Sequence, residues 1–197
     1  FVKMIVISYM CLMYAALRGL PGIKYDVYGR WLGLKFGVKY FNKGRNGLLL
    51  NPISLTRYFE FDFAGRYVQQ FKGVKLLDVS SPRIFPIWAA DACECQVVMI
   101  NPDSSDLEAS KKLSVCMKNR DRITFDEGVD AIKLPYADNA FDMLTSISVI
   151  EHIDGDGDSK ALDEFVRVVR PRGVIILSFP VNGNYYEEYR SHDPYGT

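Results

Sequence analysis

Short apolar runs alternate with amphipathic stretches from about residue 72 onward, which is the pattern of strand–helix–strand units. Five runs have the length and composition of buried strands: 74–79, 96–100, 123–125, 141–146 and 174–179. Helices are predicted over 86–92, 105–117 and 159–169. The Arg-Pro-Arg-Gly sequence at 170–173 predicts the end of the last helix. Parallel strands joined by helical crossovers form a doubly wound α/β sheet, so we expect functional residues at the carboxyl ends of the strands.

The N-terminal part of the chain has a different pattern. Met4 to Leu17 is an almost continuous apolar run between Lys3 and Arg18, and as written it is too short to span a bilayer. It is interpreted either as a packed or interfacial helix or as the remainder of a longer membrane segment. The second interpretation stays open because the chain begins at Phe1 and is expected to be a fragment.

Aromatic and basic side chains interleave over 25–45. This composition favours an accessory helical layer with solvated lysines. A contact with an anionic membrane is the next interpretation, whereas nucleic acid is not expected as a partner because no nucleic-acid motif is present.

Composition, charge and cysteine content exclude several classes of protein. The 197 residues are 48% apolar and 24% charged, which excludes a disordered or collagen-like chain. The zero net charge hides an asymmetry, because 1–75 contains 12 basic and 3 acidic residues and 76–197 contains 12 and 21. We therefore expect the two parts to have different roles. Four cysteines without a C-x-x-C pair predict reduced thiols in a cytoplasmic protein, and no metal site is expected.

Two motifs in the second part are specific. The sequence from Leu134 to Ile153 reads LPYADNAFDMLTSISVIEHI, and the sequence from Ala161 to Gly173 reads ALDEFVRVVRPRG. Together they resemble the class I S-adenosylmethionine-dependent methyltransferases, in the type-11 group that includes ubiquinone and menaquinone methylases. The resemblance covers about 73–181, and no family motif occurs in 1–72.

The resemblance implies a Rossmann-like methyltransferase sheet, truncated here after its fifth strand, with an N-terminal helical extension. It implies a core over 73–197, incomplete at its C-terminus. The composition of 1–72 predicts a basic and aromatic extension that covers the substrate site or contacts a membrane. The localisation that follows is cytoplasmic, with membrane association as an addition. The sequence indicates no oligomeric state.

The resemblance also implies S-adenosylmethionine as cofactor and places its contacts at the strand ends. The implied cofactor-binding residues are Asp78, Ser80, Ser81, Asn101, Asp103, Asp130, Ala131, Ser146 and Ser148. Asp130 and the amide of Ala131 would hold the adenine edge. Asn101 replaces the family's acidic ribose ligand, with Asp103 as a substitute, and Asp78 with the loop after it would hold the methionine end.

The loop after the first strand departs from the family pattern D-x-G-x-G-x-G. Ser80, Pro82 and Ile84 stand at the three glycine positions. Either the loop takes another path with the Ser80 and Ser81 hydroxyls facing the cofactor, or the cofactor site has decayed. We favour the first alternative because the rest of the pattern is kept.

Glu151 and His152 are the candidate catalytic residues. At the cleft mouth, a neutral His152 imidazole could take a proton from an acceptor hydroxyl or amine. The alternative is that placing the acceptor in line with the methyl group is sufficient and no protein base is needed. A polar and aromatic cluster over 185–193 is either part of the acceptor site or an exposed loop.

The sequence therefore predicts a methyltransferase that acts on a small-molecule or lipid-linked acceptor. The alternative is a catalytically inactive binding or scaffold protein with a degenerate cofactor loop. A dinucleotide-binding oxidoreductase is disfavoured, because that fold also needs a glycine-rich first turn.

Overall fold

The computed structural model describes residues 2–40 and 45–181. Four helices precede the sheet: α1 (Val2–Leu17), α2 (Ile23–Tyr40), α3 (Arg45–Leu50) and α4 (Leu55–Val68). The 185–193 cluster lies outside the described residues.

Five parallel strands form one sheet in the order β3-β2-β1-β4-β5. The strands are β1 (Lys75–Val79), β2 (Gln96–Asn101), β3 (Ile123–Glu127), β4 (Phe141–Ile147) and β5 (Val169–Ser178). The crossover helices are α5 (Ile84–Ala92), α6 (Ser104–Ser114) and α7 (Gly157–Val168), and 3-10 turns lie at Arg120–Arg122 and Ile150–His152. The predicted doubly wound sheet is confirmed.

Alternating strand residues build a core on each face of the sheet. Leu76, Val97 and Met143 face one side, where α5, α6 and the N-terminal helices pack. Leu77 and Leu144 face the other side, where α7 packs. The sheet is thus buried on both faces, which explains why its strands read as continuous apolar runs.

The passage from α7 to β5 differs from the prediction. The helix ends at Val168 and the strand begins at once at Val169, five residues earlier than predicted. Val169 pairs with Phe141, and the register then shifts so that Val174 pairs with Met143. Arg172 lies in the part of β5 where the register shifts, and its backbone has a φ of +64°. The predicted helix stop is therefore an irregular first part of the strand.

The N-terminal helices share a core with the sheet. Tyr25 of α2 is fully buried, and its ring centroid lies 5.4 Å from that of Phe61 on α4 and 4.6 Å from that of Trp88 on α5. Gly65 allows this approach, because a Cβ there would lie 1.6 Å from the Tyr25 hydroxyl. The boundary after residue 72 stays a prediction, but these helices are packed onto the sheet.

A buried charge network joins the first helices. Arg30 and Asp26 of α2 are almost fully buried and form an ion pair. Arg30 also donates to the carbonyl oxygens of Leu49 at 2.7 Å and Leu50 at 3.1 Å, and Tyr58 of α4 donates to Asp26 at 2.5 Å. All three guanidinium nitrogens of Arg30 and both carboxylate oxygens of Asp26 therefore have hydrogen-bond partners, as a buried ion pair requires.

Helix α1 contacts α2 and α3 along one side and is otherwise exposed. None of the helices within residues 2–40 and 45–181 combines the length and apolar character needed to cross a bilayer.

Candidate functional site

The crossovers after β1 and β4 leave toward opposite faces of the sheet, which opens a crevice where these neighbouring strands end. The backbone N–H of Ile147 at the end of β4 donates to Ser81 Oγ, in the loop after β1, at 3.1 Å. This bond joins the two sides of the crevice. We call the carboxyl ends of β1 and β4 with their following loops the switch-point site.

Asp78 is the charged residue at the centre of the switch-point site. It is fully buried in β1, and its Oδ1 accepts a hydrogen bond of 2.7 Å from Thr145 of β4. Oδ2 accepts no hydrogen bond from the described part of the chain. Burial raises the pKa of Asp78 to about 6, although the Thr145 hydroxyl and the nearby hydroxyl and N–H of Ser81 oppose the change. The Asp78 carboxylate thus lacks a donor on one side.

Two serines after the central strands have left-handed backbones. Ser80 after β1 has a φ of 52°, and Ser148 after β4 has a φ of 50°. Ser80 stands at the first of the three glycine positions of the pattern D-x-G-x-G-x-G, and its φ lies in the region that glycine adopts without strain. Its N–H and Oγ donate to the carbonyl of Ile100 at 3.0 and 3.3 Å, which ties the loop to β2. Such strained serines are typical of functional turns.

The end of β2 is internally bonded. Asn101 Oδ1 accepts from the N–H of Asp103 at 2.8 Å, and Asn101 Nδ2 donates to Asp106 at 3.2 Å. Asp106 is also paired with Arg83 at 2.5 Å. Asp103 caps α6 by accepting from the N–H and the hydroxyl of Ser105, and these bonds hold the pKa of Asp103 below its usual value.

The loop after β3 carries Asp130 and Ala131. Asp130 is exposed, and its Oδ1 accepts from the N–H of Ile132 at 3.1 Å, which fixes the turn. Ala131 is buried beside the core on the α7 side of the sheet. The second Asp130 oxygen is therefore available at the surface of the turn.

Helix α4 adds residues that the sequence did not single out. Glu60 Oε1 accepts from the hydroxyls of Ser148 at 2.7 Å and Ser178 at 2.8 Å. Arg57, one turn earlier on α4, pairs with Glu60 and donates to Ser148 Oγ at 2.6 Å. An Arg-x-x-Glu spacing on one helix face was the only signal available, and it is too common to point to a site.

A cleft of about 390 Å³ lies beside this contact. It is lined on one side by residues 47–48, 51–54 and Arg57, and on the other by residues 82–84 and Asp106. The N-terminal segment therefore forms one wall of a cleft whose other wall is the loop after β1.

A family model described as a methyltransferase domain matches residues 77–177, just over half of the chain. The chain belongs to this methyltransferase family. This confirms the resemblance drawn from the motifs at 134–153 and 161–173.

Three relatives show how far the similarity of this methyltransferase-family chain extends. It is 29% identical over 87 residues to norajmaline N-methyltransferase of Rauvolfia serpentina, a match that covers 44% of the chain and 28% of that relative. The chain thus spans less than a third of that relative's length. The crystal structure of the cyclase SpnF matches with a TM-score of 0.54 at 23% identity, over 78% of this chain and 57% of that one. The glycopeptide N-methyltransferase MtfA, complexed with sinefungin, matches with a TM-score of 0.52 at 15% identity, over 60% and 53% of the two chains. The two structures establish the fold alone.

Glu151 and His152 lie on the 3-10 turn after β4 in this methyltransferase fold. His152 Nε2 lies 4.0 Å from Glu151 Oε1, and the His152 side chain is 47% exposed. Ser146, in contrast, is fully buried in β4, and its Oγ has no hydrogen-bond partner among the described residues. Within 2–40 and 45–181, no three His, Cys, Asp or Glu side chains cluster as metal ligands would.

Proposed function

We propose that the chain contains the catalytic core of an S-adenosylmethionine-dependent methyltransferase that acts on a small-molecule or lipid-linked acceptor. The observation that carries this proposal is the left-handed backbone of Ser80, two residues after Asp78 and directly after β1. A serine in this conformation costs about 1 kcal/mol or more. A loop without a function could relax to an unstrained path, so the strained turn supports a working cofactor loop.

The residues of the switch-point site fit the methionine end of the cofactor. Asp78 Oδ2 and Ser146 Oγ are buried polar atoms that lack partners within the described chain. Buried polar atoms are normally satisfied, and the ammonium group of a bound methionine moiety supplies hydrogen-bond donors. Asp78 would then bind that group as a carboxylate.

The fit is weaker at the ribose. Asn101 and Asp103 both use their side-chain oxygens within the chain, so a ribose hydroxyl would share or replace one of those bonds. Asp130 has a carboxylate oxygen available for the adenine amine. We therefore infer that the adenine and methionine ends contribute more of the affinity than the ribose does.

S-adenosylmethionine supplies an electrophilic methyl group when bound. The chain's residues would position the acceptor beside it, and proximity with correct orientation is the main contribution expected. Glu60 and Arg57 border the site on the α4 side and would orient a polar acceptor group there. His152 is the candidate that takes a proton from an acceptor hydroxyl or amine.

A second candidate function is an inactive binding module of the same fold. The observation that favours it is the β2 end, where Asn101 is bonded to Asp103 and Asp106 instead of presenting a free carboxylate to a ribose. Fold alone does not decide between the two candidates.

Calorimetric titration with S-adenosylmethionine and S-adenosylhomocysteine tests the proposal. Asp130→Ala should weaken binding about tenfold to a hundredfold, the loss expected for a hydrogen bond to a charged group. Asp121→Ala is the matched control, since Asp121 is also exposed but precedes β3 and so lies at the opposite end of the same strand. It should bind like the unchanged chain.

The outcomes separate the two candidates. Micromolar binding that Asp130→Ala weakens and Asp121→Ala preserves would support the enzyme. Absence of binding to a chain whose circular dichroism and cooperative unfolding show it to be folded would overturn the enzyme proposal and favour the binding module.

A further inference from the structure

The outward side of α1 is apolar along its whole length. Seven large side chains of this helix are more than half exposed: Met4, Val6, Ile7, Met10, Met13, Tyr14 and Leu17. Contiguous apolar surfaces of this kind are rare on proteins that face only water, and they mark contacts with other proteins or with membranes.

The orientation of α1 is fixed by its inner side. Ser8 donates to the carbonyl of Leu50 and accepts from Arg30 Nη1 at 2.8 Å. The Arg30 guanidinium also lies 4.8 Å from the centroid of the Tyr9 ring. Because Arg30 is itself buried and paired with Asp26, these contacts hold the apolar side away from the core. The exposed face is thus a feature of the folded chain.

The charges around α1 indicate which kind of partner its apolar side binds. Asp26 is the only acidic residue among the first 59, and it is buried in its pair with Arg30. The same stretch contains nine Lys and Arg residues, and Lys3 and Arg18 flank the apolar run. A surface with apolar residues, basic flanks and no exposed carboxylate is complementary to an anionic lipid surface.

We propose that α1 binds an anionic lipid surface. It lies parallel to the membrane, with Met10 and Met13 in the boundary between headgroups and acyl chains and with Lys3 and Arg18 at the phosphates. The parallel orientation follows from the contacts that α1 makes along its side with α2 and α3. This inference stands independently of the methyltransferase proposal.

Flotation of the full chain with lipid vesicles tests the proposal. Vesicles of phosphatidylcholine with about a third phosphatidylserine should carry the protein upward, and vesicles of phosphatidylcholine alone should carry much less. Lys3→Gln and Arg18→Gln should each lower the partition coefficient about fivefold, an effect that high salt removes.

Variants of the apolar side of α1 test the hydrophobic contribution to membrane binding. Met10→Glu with Met13→Glu should lower the partition coefficient more than about tenfold, since two buried apolar side chains are lost from the interface. Val166→Glu is the matched control, because Val166 is equally exposed but lies on α7, on the other face of the sheet. It should float like the unchanged chain.

Three results would overturn the proposal. Equal flotation with neutral and anionic vesicles at low salt would contradict the role of the basic flanks. Equal loss in Val166→Glu would contradict the role of α1. A folded chain that floats with neither vesicle would exclude the lipid surface, and a dimer mass in sedimentation equilibrium would then identify a second copy as the occupant. Cofactor titration of the same samples keeps each of these results separate from a failure of the methyltransferase proposal.

Discussion

The N-terminal helices and the sheet distribute charged and apolar side chains in opposite ways. In the helices, the ion pair of Asp26 with Arg30 is buried while α1 presents Met10 and Met13 outward. In the sheet, apolar side chains fill both faces, and an ion pair such as Arg170 with Asp142 lies at the surface. The sheet thus follows the pattern of a domain surrounded by water, whereas the helices are suited to a less polar contact on one side.

The largest expected difference between the two regions is the loss of stability when one partner of an ion pair is removed. Asp26→Ala leaves the Arg30 charge buried without its counter-ion, so the free energy of unfolding should fall by about 3–5 kcal/mol. Arg170→Ala removes one partner of the exposed pair and should cost less than about 1 kcal/mol. Urea unfolding measures both. Equal small losses would show that the N-terminal helices do not depend on the pair.

Asp78 is a buried carboxylate in the sheet, and unlike Asp26 in the N-terminal helices it has no basic residue among its contacts. Its pKa is raised from 3.8 to about 6 in the folded chain, so between these values the folded state binds a proton that the unfolded state has lost. Stability should therefore fall as the pH rises through this range, by at most about 3 kcal/mol. Asp78→Asn should remove that dependence, stabilise the chain at neutral pH and weaken cofactor binding.

Asp142 provides the control with the opposite sign. The N–H of Lys75 and the Arg170 guanidinium hold the pKa of Asp142 below its usual value. Its contribution to stability is present above the unfolded pKa and is lost as the pH falls through the folded pKa. Thermal unfolding between about pH 3 and pH 8 records both slopes. An unchanged acid profile in Asp78→Asn would contradict the burial effect at Asp78.

The smallest expected effect concerns backbone strain. The N-terminal helices use Gly19 and Gly22 at left-handed positions, whereas the switch-point site uses Ser80 and Ser148. Ser80→Gly should raise the free energy of unfolding by about 1 kcal/mol, because glycine adopts this conformation without a steric penalty. Ser80→Ala keeps the Cβ and loses the hydroxyl bond to Ile100, so it should give no gain. A gain in both variants would locate the effect in the hydroxyl and not in the backbone.

Sequence reasoning predicted the sheet because its strands are buried on both faces and separated by clear helix signals. It also placed Asp78, Asn101 and Asp130 on the carboxyl side of the sheet, and the structure has the first two in the last residues of β1 and β2 and Asp130 in the loop after β3. It could not predict the conformation of Ser80, since nothing local indicates that a serine will accept a positive φ. The cofactor roles of these residues stay predictions.

The contribution of α4 could not be predicted for a different reason. Glu60 meets Ser148 and Ser178 through contacts 88 and 118 residues apart in sequence. Neither periodicity nor motif spacing carries information over such separations, because the contact depends on how α4 packs across the sheet.

Arg167 of α7 makes one side of the site stiff. Its guanidinium donates to the carbonyls of Leu134 at 2.9 Å and Tyr136 at 2.7 Å, and it pairs with Glu164 and Asp138. These bonds connect helix α7 to the loop that precedes β4. We therefore expect the helix and this loop to move together as one rigid unit. We expect the motion that admits and releases ligands to occur on the opposite side of the site. There, α4 contacts the strand ends through the Glu60 carboxylate.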